Sequence, residues 1–265
     1  MLLVSGTMRS GTSMWMQILI AAGFPHIGDA FPEPWGDALR SANPRGFYES
    51  QLVSGIYYAT NPHPETGAYL FPEQTARHVC KVFIPGLVRT DSAFLNRVVA
   101  TVRDWRQYAA SLERMHVLAG GDRERALFDV PLDPPVRWWM ENFALVRDIA
   151  TRRYAAHVTT YARLLADPEG EIGAVLDWLG EGDRQAALAA VDRGRTLTAA
   201  PTPDGVSPRH ARVFDDLYAH LHTGEDLSPA FVSLLNRTDA ELRPRLLAAR
   251  EGARAAVTRQ LIAEG

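Results

Sequence analysis

Short apolar runs alternate along the chain with longer stretches of helical period. Leu2–Ser5 is a brief apolar run that gives way at once to a glycine-containing loop, and Thr12 to Ala22 then reads as a helix stopped by Gly23. Residues 25–46 are rich in Pro and Gly and read as irregular. A helix is predicted over Gln51–Ala59, followed by a loop over residues 60–74 that carries Pro62, Pro64 and Pro72. His78–Ile84 (HVCKVFI) and Arg97–Val102 (RVVATV) are too short for helices and apolar without alternation, the pattern of strands buried on both faces. Trp105–Leu118 reads as a helix, as does Val136–Arg153 beyond the prolines at 131, 134 and 135. Ala156–Thr160 is a fourth strand candidate, and Ala162–Ala166 and Glu169–Leu179 read as helical. Gly194–Pro208 is a Gly/Pro/Thr linker, and the chain from His210 onward is helical. Strands alternating with helices predict an α/β fold: a central parallel sheet flanked by helices, with a P-loop-like phosphate-binding loop. A single domain over residues 1–265 is expected, with residues 210–265 as a helical C-terminal extension.

Composition narrows the function classes. Of 265 residues, 46% are hydrophobic and 22% charged, as in ordinary globular chains. A net charge of −3 argues against a general nucleic-acid binder, while leaving room for a local basic pocket. Cys80 is the single cysteine, so no internal disulfide is expected. The apolar start is too short for a signal-peptide core, and no run approaches the ~18 apolar residues of a membrane span. A cytoplasmic location is therefore expected, and a homo-oligomer is left open. Among 28 Lys plus Arg, only Lys81 is a lysine. Arginine replaces a surface lysine easily, but it cannot replace a compact ammonium aimed at one atom.

The most informative segment is Gly6-Thr7-Met8-Arg9-Ser10-Gly11-Thr12-Ser13. It has the Gly-x4-Gly spacing of a P-loop between strand and helix, where backbone N–H groups and a helix N-terminus attract an anion. The Walker motif places Lys directly after the second Gly. Here that position is Thr12, and the cation is Arg9, inside the loop. A second segment runs from Arg103, at the end of a strand, to Ser111, two turns into the next helix. In open α/β sheets such strand ends face the ligand crevice, so a guanidinium and a hydroxyl can share a second phosphate there.

The two segments together resemble the sulfotransferases that use 3′-phosphoadenosine 5′-phosphosulfate (PAPS). Arg9-Ser10-Gly11-Thr12-Ser13 is similar to that family's 5′-phosphosulfate loop, and Arg103 with Ser111 to its 3′-phosphate motif. Tyr161, in Thr159-Thr160-Tyr161-Ala162-Arg163-Leu164-Leu165-Ala166-Asp167-Pro168, matches a tyrosine that lies near the adenine in the family. Asn43-Pro44-Arg45-Gly46-Phe47-Tyr48-Glu49 is similar to a stretch common in bacterial members. The resemblance runs from about residue 2 to about residue 222, and it implies PAPS as co-substrate and no metal. Three departures stand out. The family's cytosolic branch reads Lys-Thr-His on the second strand, with the histidine as catalytic base, whereas this chain reads Lys81-Val82-Phe83. The family's usual loop lysine is Arg9. The family's Arg-Lys-Gly clamp is echoed only by Arg193-Gly194-Arg195, from which Arg195 is carried over as a cofactor contact.

That resemblance implies in-line sulfuryl transfer, in which positioning and charge stabilisation do most of the catalysis. Lys81 would face the bridging oxygen, where charge grows. Arg9 and the loop amides would hold the phosphosulfate. An alcohol or phenol acceptor needs a base, and Glu49, beside Phe47-Tyr48, is the candidate. The competing reading has Glu49 capping the next helix or holding a structural Arg. His116 and His63 are reserves. Phe31, Trp35, Trp138, Trp139 and Met140 are candidates for an apolar acceptor pocket as well as for core. His220 and His222 are expected to be solvated, because residues two apart on a helix point to different faces. Two other function classes remain: a P-loop nucleotide kinase or phosphotransferase, and a non-catalytic nucleotide-binding protein that docks a partner through Ala240–Ala263.

Overall fold

The computed structural model describes residues 1–32, 40, 43–118, 132–192, 194 and 199–264, with side chains omitted at 116, 118, 250 and 253–264. Five strands form one parallel sheet: β1 (Leu2–Gly6), β2 (His26–Ile27), β3 (Val79–Phe83), β4 (Arg97–Val102) and β5 (Ala155–Thr160). Their order is β2-β3-β1-β4-β5. β1 is thus central, and the chain winds to one side of it and then to the other. The register aligns Gly6 with Phe83 on one neighbour and with Thr101 on the other. Three strand ends therefore finish at one level, and this switch point is where ligands bind in open α/β sheets.

Side chains alternate across the sheet, and each face has its own core. Leu2, Val4, Val79 and Val99 pack with α1 (Thr12–Ala21) and with residues such as Ile172 and Leu176. Leu3, Cys80, Val82, Val98 and Ala100 pack on the opposite face, with Trp105, Trp138, Trp139 and Phe214. The helices after α1 are α2 (Ile84–Arg89), α3 (Trp105–Leu118), α4 (Pro134–Arg152), α5 (Tyr161–Ala166), α6 (Pro168–Leu179), α7 (Arg184–Ala189), α8 (Pro208–Thr223) and α9 (Pro229–Glu264). None of the helices among the described residues is long and apolar enough to cross a membrane.

Several predicted elements are corrected. The helix expected over Gln51–Ala59 is only a 3₁₀ turn, Gln51–Ser54, capped by Ser50. It ends at Gly55, whose φ of 110° is outside helical space, and a Cβ there would lie 2.4 Å from the Gly86 carbonyl oxygen. The strand expected to reach Ile84 stops at Phe83. Pro85 has no N–H for a ladder but is well suited to a first helical turn, so α2 begins there. β2, α2 and α7 were not predicted; β2 is two residues long and leaves no periodicity to read. His222 is not simply solvated, since its Nδ1 lies 2.8 Å from Thr160 Oγ1. His220 stacks on Phe231 with ring centroids 4.4 Å apart.

Candidate active site

The loop between β1 and α1 closes because its residues are small. A Cβ on Gly6 would lie 2.4 Å from Ser10 Oγ and 2.5 Å from the Thr101 carbonyl oxygen. Ser10 turns inward: its hydroxyl donates to the Thr7 carbonyl at 2.7 Å, and Thr101 Oγ1 donates to the Ser10 carbonyl at 3.0 Å. Gly11 takes a left-handed φ of 104° and caps α1 without any side-chain hydrogen bond. The first-turn N–H groups, which have no partner within a helix, therefore point outward at the positive end of the macrodipole.

Arg103 leaves the end of β4 and is largely buried. Its guanidinium lies over the Tyr161 ring, 4.8 Å from the centroid, and its Nη1 donates to the Arg9 carbonyl at 3.2 Å. Its buried Nε has no hydrogen-bond partner among the described residues. Trp138 Nε1 fixes the Arg103 backbone by donating to its carbonyl at 2.7 Å. Burial lowers the Arg103 pKa from its ordinary value, although an arginine stays charged. Arg9, at φ 67°, turns its side chain toward α3, and its Nε donates to Ser111 Oγ at 3.3 Å. The two motifs thus meet at one place. Tyr161 opens α5 and packs against Gly11, where a Cβ would come within 2.7 Å of its ring.

Lys81, on β3, is 2% exposed, and all three of its ammonium protons are engaged. Nζ donates to Glu49 Oε1 at 2.6 Å, Ser13 Oγ at 3.0 Å and the Phe47 carbonyl at 3.1 Å. It also lies 5.2 Å from the centroid of Phe83. Burial lowers the Lys81 pKa, the Glu49 carboxylate opposes that shift, and the nearby Arg9 charge adds to it. Glu49 is itself buried, on a loop joined to Asp29 by paired backbone hydrogen bonds of 2.9 and 3.0 Å. Its partner is Lys81, not an arginine, and the helix-capping role belongs to Ser50. A buried ion pair of this kind needs every remaining proton satisfied, and the Ser13 and Phe47 oxygens do that.

These groups line one open cleft. Arg9, Gly11, Thr12, Ser13, Glu49, Lys81, Arg103 and Tyr161 all border it, with Met8, Met14, Phe47, Phe83 and Met115 as its apolar surface. Ser10 and Ser111 are buried behind that lining. Arg195 and Trp35 lie outside the described residues, as does the His116 side chain. Trp138 and Trp139 are fully buried core, and His63 accepts the Glu65 and Thr66 N–H groups of its own turn. Cys80 is buried, its thiol pushed up to about 12, which leaves it unreactive. Sequence reasoning missed Met8, Met115 and Gln17 at the cleft. Only Gln17, a lone amide in an apolar helix, carries a readable signal.

No family profile matches the chain, and no curated protein matches it. Among solved structures it is similar to retinol dehydratase in complex with androsterone and the inactive cofactor PAP, at 16% identity and a TM-score of 0.37. That similarity covers 71% of this chain, which spans only 62% of the retinol dehydratase chain. It is also similar to the sulfotransferase domain of the Synechococcus PCC 7002 olefin synthase, at 14% identity and a TM-score of 0.40, covering 90% of this chain and 94% of that one.

Proposed function

We propose that the protein is a PAPS-dependent sulfotransferase that moves a sulfuryl group to the hydroxyl, or amine, of a small apolar or aromatic acceptor. The observation that carries this reading is the buried Lys81–Glu49 pair, set in the same cleft as an uncapped helix N-terminus and a buried arginine. The donor set fits a nucleotide with two phosphate positions. The first-turn N–H groups of α1, with Thr12 and Ser13, suit one anion. Arg103, whose Nε has no hydrogen-bond partner among the described residues, and Arg9, which Ser111 holds from behind, suit a second. Ser10 shapes the loop from inside, Tyr161 offers a ring face beside Arg103, and Arg195 remains a further contact to test.

PAPS, when bound, supplies the electrophilic sulfuryl group and a phosphate leaving group. Lys81 holds positive charge where the leaving oxygen becomes anionic, the kind of preorganised stabilisation that usually contributes most. Glu49 takes the acceptor proton. Arg9 and the loop amides orient the transferred group. Phe83, at the position of the family's histidine, cannot accept a proton. With Met8, Phe47 and Met115 it forms an apolar wall that favours an apolar acceptor and keeps water out. The sulfuryl group carries one negative charge, so the chemistry makes less demand for a divalent metal than phosphoryl transfer does. A single buried thiol suits the reducing cytoplasm.

The test is calorimetry with adenosine 3′,5′-bisphosphate with and without Mg²⁺, then transfer from radiolabelled PAPS to a panel of phenols, alcohols and amines. Metal-independent binding and label transfer are expected. Binding of Mg-ATP alone would favour a phosphotransferase. Bisphosphate binding without turnover on any acceptor would favour a non-catalytic nucleotide-binding protein.

A further inference from the structure

Gln17 is the odd residue of α1. The helix reads TSMWMQILIA, and Gln17 is buried on it among Trp15, Met16, Ile18 and Leu19. A buried amide is costly unless its hydrogen bonds are made. Its Nε2 donates to the Gly46 carbonyl at 2.9 Å and lies 3.4 Å from Asn43 Oδ1. Asn43 Nδ2 donates to the same Gly46 carbonyl at 2.6 Å. One backbone oxygen, three residues before Glu49, is therefore gripped by two side-chain amides.

The grip has something to hold. Gly46 has a φ of 95°, and Tyr48, which has a side chain, has a φ of 56°. A non-glycine residue in that region is uncommon and persists where its surroundings impose it. The loop is held at the Gly46 carbonyl by Gln17 and Asn43, at the Phe47 carbonyl by Lys81, at the Phe47 N–H by the Ala30 carbonyl, and at Glu49 by its backbone bridge to Asp29. Ser13 and Gln17 are four residues apart, so they share one face of α1. Ser13 touches Lys81, and Gln17 holds the loop that delivers Glu49.

We infer that Gln17 is a positioning residue for the Glu49–Lys81 pair, acting through the Gly46 carbonyl. The helix whose N-terminus faces the anion thereby also sets the pair's geometry. The catalytic consequence rests on the sulfotransferase reading, whereas the positioning of the pair does not.

Lys81 is the only lysine, so ¹⁵N-lysine labelling gives a single side-chain signal that reports on the pair directly. Gln17→Leu removes the donor in an already apolar setting and leaves Asn43 on the carbonyl. The expected result is a Lys81 ammonium signal, sharp in the wild type, that broadens through faster exchange with water in the variant. Affinity for adenosine 3′,5′-bisphosphate should stay near wild type, and kcat should fall by roughly 10²-fold, the scale of a small misplacement of reacting groups. Asn43→Ala, which removes the other donor, should broaden the same signal and serves if Gln17→Leu does not fold. A native-like Lys81 signal in a folded variant overturns the inference. So does a parallel loss of bisphosphate affinity, and so does failure of both variants to fold, because each makes the role structural. A wild type that binds no bisphosphate and turns over no PAPS overturns the sulfotransferase reading but leaves the Lys81 signal free to test the positioning.

Discussion

The wall of the cleft proposed to face an anion is made from the ends of β1 and β4 and the start of α1. The wall that carries Glu49 is an irregular loop with left-handed residues at 46 and 48. The first wall offers backbone donors and two arginines. The second offers a carboxylate already neutralised by Lys81. The first is held by the sheet register and by hydrogen bonds among residues at the strand ends, such as Thr101 to the Ser10 carbonyl and Arg103 to the Arg9 carbonyl. The second is held by contacts from separate parts of the chain, among them Gln17, Asn43, Asp29, Ala30 and Lys81. On the proposed function, binding and chemistry are thus divided between two kinds of structure. Groups that bind ground state and transition state alike belong on the first, and groups whose effect grows along the reaction belong on the second.

The largest effect that would test this division is loss of the base. Glu49→Gln should lower kcat by ~10²–10⁴-fold, the range for general-base loss, with little change in affinity for adenosine 3′,5′-bisphosphate. A stability cost should accompany the loss, because Lys81 is left buried without its counter-charge, a situation that typically costs about 3–5 kcal/mol. Thermal melts and kcat should therefore fall together while the binding isotherm does not. If Glu49→Gln stays active and His63→Ala or His116→Ala does not, the base is a histidine. If all three stay active, the acceptor is already nucleophilic at neutral pH.

Next in size is Lys81→Ala, expected to lower kcat by roughly 10²–10³-fold, as for loss of a preorganised charge beside a developing anion. Cofactor affinity should change far less. Lys81→Arg should rescue poorly, because a planar guanidinium cannot reproduce the three contacts made to Glu49, Ser13 and Phe47. An arginine variant with near-wild-type kcat would make Lys81 a structural strand residue and erase the distinction between the two walls.

What could be read from sequence follows the same division. The anion wall is local: a strand, Gly-x4-Gly and a helix occur within twenty residues, and Arg103 follows directly on an apolar run. Lys81 was legible as the one lysine, set in a buried strand. The contacts that organise the site were not legible. Lys81 meets Glu49 across 32 residues, and Arg9 meets Ser111 across 102; only the folded sheet brings them together. The helix expected over Gln51–Ala59 failed because Gly55 takes a φ of 110°, where a helix cannot continue. Trp138 and Trp139 were read both as core and as acceptor lining, and the structure places them in the core, since periodicity does not say which side of a helix meets a cleft.

The anion wall itself is tested by ligand choice. Adenosine 3′,5′-bisphosphate should bind more tightly than 5′-AMP, by about 1.5–3 kcal/mol for each charge-assisted hydrogen bond to the extra phosphate. Arg103→Ala should remove most of that difference, and Ser111→Ala a smaller part, with kcat less affected than by changes at Lys81 or Glu49. Equal affinities for the two nucleotides by calorimetry would mean that Arg103, Arg9 and Ser111 are not a phosphate site, and that the buried Arg103 Nε is satisfied by something else.

The smallest effect comes from a carboxyl that lies away from both walls and so separates burial from pairing. Glu141, on α4, has its pKa pushed up from an ordinary 4.5 to about 7 by burial, with the Arg137 charge opposing. Unlike Glu49, it makes no ion pair among the described residues. A folded-state pKa above the unfolded one means that the native state holds the proton more tightly. The stability this contributes is complete below about pH 4.5 and is lost as pH rises through about 7. Glu141→Gln mimics the protonated form and should remove that slope. Relative to wild type, the variant should be nearly unchanged at acidic pH and more stable above neutrality, by on the order of 2–3 kcal/mol. Urea unfolding of both proteins across this pH range measures the difference, and comparing the two cancels the titration of groups they share. Destabilisation of the variant by the same amount at every pH would mean that the carboxyl matters through its packing or hydrogen bonds and not through its proton. Turnover at fixed pH should be indifferent to the change, because Glu141 borders neither wall of the cleft.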